Sequence, residues 1–260
     1  MKGDSSMKNN IRRTCAAVMT AVGLGLPVVT AGPSNPPSAD EVMSWYIEAT
    51  GGKTAYGKIE NRVLKATLEI AGTGISFNLT SYSVRPNKLL VIMESDAMGK
   101  IESGCDGETA WENSMMTGPR IKEGEERATT LRESVFDRLI QYKDLYQKAE
   151  FAGEENIEGT SCYKVVLTPE TGHPQTLYFD RDSRLLIRMD TIIDSPMGSI
   201  PSASYLSDYR EVDGILIAHT VSVDVMGQKR EVITHSVEHN VELPGDLFDL
   251  PEEIRELMKN

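Results

Sequence analysis

Between Asp208 and Val241 the sequence reads as two β-strands bounded by tight turns, and this pattern constrains the fold more than any other part of the chain. Asp213-Gly214 is a turn dipeptide, after which Ile215, Ile217, Val221, Val223 and Val225 recur at a period of two. Gly227-Gln228 turns the chain again, and 229–241 returns as a second strand, a register that pairs Met226 with Lys229. Successive side chains of a strand point to opposite faces, so this alternation makes one face apolar. The pattern predicts a meander in a curved antiparallel sheet.

Most of the chain follows it. Segments 63–71 and 75–84 flank Gly72-Thr73-Gly74 as a hairpin, and 87–94, 99–105 and 108–111 continue it, with Asp106-Gly107 as a turn. Strands resume over 148–154, 159–168, 175–180, 185–193 and 200–209. Three helical stretches interrupt them. Ser38 and Glu41 form a capping box ahead of a helix through Val42, Trp45, Tyr46 and Ala49, which Gly51-Gly52 stops, with a short turn over 55–59 beyond. Leu131, Val135, Leu139 and Ile140 at helical spacing predict a helix over 125–141, with Glu125 and Glu126 at its positive end. Pro251 opens a short terminal helix. The fold class is therefore mainly β with a few helices (α+β).

The first 31 residues read as an address. Lys2, Lys8, Arg12 and Arg13 precede an apolar run over 16–29 that is shorter than the ~20 residues of a spanning helix. Val29-Thr30-Ala31 is a small-residue cleavage site, so the expected layout is a signal peptide over 1–31, a Pro/Ser linker over 32–38 and a domain over 39–260. Export to the periplasm follows, with no stable transmembrane segment. The whole chain has 27 Lys+Arg against 39 Asp+Glu, and cleavage removes four basic residues and one acidic one. So acidic a surface argues against nucleic acid and against docking on anionic lipid. Cys105 and Cys162 survive cleavage; in an oxidising compartment they either form one disulfide or stay apart as small core residues.

Catalytic and metal signatures are not found. Under the expected register His219 falls opposite Ser236, which points it to one face while His235 and His239 share the other, so no three-histidine metal site forms. There is no Gly-x-Ser-x-Gly elbow, Gly72-Thr73-Gly74 lacks a third glycine for a phosphate loop, and Asp180-Arg181-Asp182-Ser183 reads as a turn rather than a calcium loop. No enzyme activity, cofactor or metal is expected.

Several segments fall in an order that resembles a known family. They are Tyr46 to Gly52, Asp106 to Trp111, Gly118-Pro119-Arg120, Tyr178-Phe179-Asp180, Asp208 to Gly214 and Phe248 to Pro251. Over about residues 40 to 255 the chain resembles the periplasmic lipoprotein-carrier (LolA/LolB-like) superfamily, in its outer membrane lipoprotein-sorting-like branch. The resemblance implies a single incomplete antiparallel β-barrel of about eleven strands, with helices covering its concave side and an apolar ligand held between. Trp45, Phe77, Leu79, Leu89, Val91, Met93, Trp111 and Met115 are the residues expected to face that space. The function so implied is a periplasmic binding or carrier protein for a lipid, a lipoprotein acyl chain or a similar apolar ligand. The alternatives are an envelope interaction module without cargo, partnering other envelope proteins, and, more remotely, a hydrolase with an unrecognised site.

Overall fold

In the computed structural model, which describes residues 35–195 and 198–259, two turns with left-handed backbone frame the meander read above. Asp213 and Gly214 have φ of 52° and 81°, and Met226 and Gly227 have φ of 55° and 84°. Positive φ at both central residues is the hairpin geometry that matches strand twist. The second turn is thus Met226-Gly227 rather than Gly227-Gln228, and Val225 pairs with Gln228.

The elements run, in order, α1 (Ala39–Ala49), α2 (Gly52–Tyr56), β1 (Asn61–Ile70), β2 (Ile75–Val84), β3 (Lys88–Ser95), β4 (Gly99–Cys105), β5 (Ala110–Ser114), β6 (Gly118–Ile121), α3 (Gly124–Ser134), α4 (Tyr142–Leu145), β7 (Lys148–Ile157), β8 (Thr160–Thr168), β9 (Gln175–Asp180), β10 (Leu186–Ser195), β11 (Gly198–Val212), β12 (Ile215–Val225), β13 (Gln228–His239) and α5 (Glu252–Leu257). All thirteen strands form one antiparallel sheet, in the order β6-β5-β4-β3-β2-β1-β13-β12-β11-β10-β9-β8-β7. The expected count of about eleven is therefore too low. One strand the sequence did not declare is β6, where Pro119 is tolerated because the strand lies at an edge.

The sheet is open but rolled. In a flat sheet β4 and β10 would lie about 34 Å apart, seven strand spacings. Yet the 11-residue α3, about 16 Å long, touches β4, β5 and β10. The strands must curl around it.

Each face carries a packed segment. On the inner face α1 is fixed by its capping box: Ser38 Oγ accepts from Glu41 N at 3.2 Å, and Ser38 N donates to Glu41 Oε2 at 2.8 Å. Its buried Val42 and Met43 pack on Val165, Leu167, Leu177, Phe179 and Leu186, each such side chain stabilising by roughly 1.5–3 kcal/mol. On the outer face the C-terminal segment lays Leu247, Phe248, Leu250 and Ile254 over Leu90 and Trp111.

The helix expected over 125–141 is shorter. It ends at Ser134, whose hydroxyl donates to Leu131 O at 2.7 Å, and Val135 is extended with ψ 121°. The chain then dives into the sheet: Phe136 N donates to Pro86 O, and Asp137 adopts φ 53°. Buried packing and ion pairs at 136–137 override the helical spacing.

Candidate functional site

Segment 133–140 roofs a cavity of about 400 Å³, within the ~300–1,000 Å³ of small-ligand sites. Its floor is built from both sides of the β1–β13 pairing: Arg62, Ser83 and Leu89 from β1, β2 and β3, and Leu186, Met189, Leu206, Tyr209, Ile217 and Val221 from β10, β11 and β12. Tyr46 and Tyr56 enter from the helices. Strand register explains the first group, because Arg62 pairs with Ser83 and Ser83 with Leu89, which puts all three on one face.

A buried ion cluster anchors the roof. The Asp137 carboxylate, 4% exposed, accepts from Arg62 at 3.1 Å and Arg85 at 3.2 Å. Both guanidinium groups also stack on Phe136, at 5.2 and 4.7 Å from its ring centre. Burial pushes the Asp137 carboxyl up, against the opposing pull of Arg62 and Arg85. Burial likewise raises the phenols of Tyr46, Tyr56 and Tyr209, so all three stay neutral. Arg85 ties the roof to α2 by donating to Ile59 O at 2.6 Å and Tyr56 O at 2.9 Å.

The histidines do not converge. β13 carries an irregularity at His235: Lys65 pairs with Ser236 and Ala66 with Thr234, leaving His235 between them. His235 is consequently exposed on the outer face, 2.7 Å from Thr67 Oγ1, while His239 meets Arg62 inside. The expectation that the two share a face is overturned by that extra residue. His219, expected opposite Ser236, lies two residues out of that register, since Thr220 pairs with Ile233; its ring is buried, Nδ1 against Ile217 O at 2.9 Å.

Hydroxyl–imidazole and acid–imidazole pairs exist, but not as a relay. No carboxylate among the described residues holds the His235 ring beside Thr67, and Ser199 donates to Asp194 rather than to His173. The sequence reading missed the grouping of Glu125, His173 and Asp194, whose ligand atoms lie within 4.8 Å of one another. Their contacts of 3.2 and 3.4 Å are those of an imidazole held between two carboxylates.

Of the residues expected to face the cavity, Leu89 lines it. Val91 and Met93 alternate with Leu89 along the same face, Met93 pairs with Leu79, and Phe77 is buried two residues further along β2. Trp45 instead packs against Tyr163, ring centres 5.6 Å apart, beneath the Arg184 guanidinium. Trp111 is a correction: it pairs with Gly104, which pairs with Leu90, and this puts it on the outer face under Ile254. Met115 is another, 83% exposed in the β5–β6 turn. Cys105 and Cys162 are buried and unbridged, on β4 and β8. Tyr46, Phe136, Arg138 and Ile217 were missed, because the irregular roof that gathers them has no periodic signature.

Solved structures share this architecture. A DUF1329 family protein from Desulfovibrio piger superposes with a TM-score of 0.57 at 16% identity, covering 81% of this chain and 97% of its own. A LolA superfamily protein from Nitrosomonas europaea gives 0.56 at 11%, covering 83% and 99%. The fold is LolA-like. A Vibrio parahaemolyticus domain described as an outer membrane lipoprotein-sorting protein gives 0.54 at 11%, covering 85% and 100%. No family model and no curated protein matches the sequence. No helix among the described residues is long and apolar enough to cross a membrane.

Proposed function

We propose that the protein is an exported periplasmic binding or carrier protein that takes a lipid, a lipoprotein acyl chain or a similar apolar ligand between its rolled sheet and the 133–140 roof. The observation that carries this reading is the cavity itself: about 400 Å³, walled mainly by Leu89, Phe136, Leu186, Leu206, Ile215 and Ile217. The likeness to LolA superfamily structures supports it at the level of fold. The basic-then-apolar pattern of residues 1–31, which lies outside the described residues, supports cleavage after Ala31 and a mature domain over 39–260.

Native mass spectrometry of protein purified from its own cell envelope tests the proposal. A stoichiometric bound lipid or lipoprotein is the expected result. Leu89→Asp should abolish uptake of a fluorescent fatty acid while far-UV circular dichroism stays unchanged. Wild-type protein that carries nothing and takes up no fatty acid would refute the proposal.

A further inference from the structure

One cation on the cavity wall lacks a carboxylate partner. Its walls present Arg62, Glu133, Asp137 and Arg138. Asp137 is already shared by Arg62 and Arg85, and Glu133 is exposed. Arg138 has no carboxylate partner among the described residues. The acceptor within reach of its terminal nitrogen is the Met189 thioether, at 3.7 Å, and its Nε is buried with no hydrogen-bond partner. Thioether sulfur is a weak acceptor, and the half-buried Arg138 loses part of its water without gaining a counter-charge. Composition does not explain a cation left unpaired here, because the chain carries 39 acidic residues against 27 basic ones.

The surroundings give the missing partner its chemistry. Arg138 meets Met189 and shares the cavity wall with Leu186, Leu206 and the Tyr46 phenol. A guanidinium fork matches a carboxylate or phosphate in two parallel hydrogen bonds, and the adjoining wall is apolar. We infer that the ligand is an amphiphile with an anionic head, seated with its head group on the Arg138 guanidinium and its chain along Leu89, Leu206 and Ile217. This rests on the carrier reading and narrows it, since neutral lipids would leave Arg138 unpaired.

Isothermal titration of the protein with dodecanoate, dodecyl phosphate and dodecanol, each below its micellar concentration at pH 8, separates the possibilities. One or both anionic ligands should bind more tightly than the alcohol by on the order of tenfold to a hundredfold, the size of one charge-assisted pair. Which anion is preferred identifies the head group. Arg138→Met should remove the preference by weakening the anions far more than dodecanol, while Arg138→Lys should keep part of it. Equal affinity of the wild type for acid, phosphate and alcohol would overturn the inference and leave the carrier reading standing. Failure of all three to bind would overturn both. If Arg138→Met does not fold, the wild-type comparison and Arg138→Lys decide alone.

Discussion

Arg62 Nε donates to the imidazole Nε2 of His239 across 3.0 Å. Because arginine can only donate, Nε2 must be the unprotonated nitrogen, and the ring is the neutral tautomer whose Nδ1–H donates to Asp213 Oδ2 at 2.9 Å. Protonation would turn that acceptor into a donor facing a cation, in a cluster that also holds Asp137 and Arg85.

Burial lowers the His239 pKa, against the raising influence of Asp213. A group with a depressed folded pKa contributes stability that is fully present above its unfolded pKa of ~6.5 and is lost as pH falls from there toward the folded value. The melting temperature should therefore drop between pH 7 and pH 5 by more in the wild type than in His239→Gln, whose amide oxygen still accepts from Arg62. Thermal melts followed by circular dichroism check this; parallel pH profiles for the two proteins would contradict it.

Gly51 should tolerate no side chain. Its φ is 131°, and a Cβ there would stand 2.3 Å from Gly214 O in the β11–β12 turn. Thr50 O accepts from Leu216 N at 3.0 Å beside it, so the backbone cannot back away cheaply. Gly51→Ala should cost at least ~2 kcal/mol in urea denaturation. Gly245, whose Cβ would meet nothing within 4 Å, is the control; Gly245→Ala should stay within ~0.5 kcal/mol.

Ile254 is fully buried against Leu90 and Trp111 on the outer face. Truncating it to alanine should destabilise by about 2–4 kcal/mol without altering ligand affinity at temperatures where the variant is folded. Leu89→Asp should do the reverse. Paired denaturation and uptake measurements on the two variants separate outer packing from cavity lining.

The two thiols should be silent. Cys105 and Cys162 are 1% and 0% exposed, and burial pushes the Cys162 thiol up, which suppresses its thiolate. Protein beginning at residue 32 should titrate no thiol when native and two when unfolded, and reductant should leave its melting temperature unchanged. A shift on reduction would indicate a bridge.

What could be read in advance divides along physical lines. Strands and the α1 cap were legible because alternation and the Ser38–Glu41 box are local and repeat. The Met226-Gly227 turn was misplaced by one residue, since a methionine at φ 55° carries no turn signature. The face of Trp111 was not legible either: a two-residue period names two faces, and here the C-terminal segment covers one while α3 covers the other. His235 shows the same limit, because a single extra residue in β13 reverses every side-chain direction beyond it. The cavity roof is least legible of all. Its course depends on Asp137 meeting Arg62 and Arg85, which lie 75 and 52 positions away in the chain.

The strand order carries a consequence for how the chain comes together. Of its twelve neighbour pairings, eleven join consecutive strands, and only β1–β13 brings distant parts of the chain side by side. The molecule is thus two local meanders, each of low contact order, closed by one seam whose loop entropy must be overcome before its contacts form. The cavity beneath segment 133–140 draws its walls from both meanders, so neither half forms it alone. A bound ligand would therefore clamp the seam rather than either half, and slowed hydrogen exchange along β1 and β13 would be the first sign of occupancy.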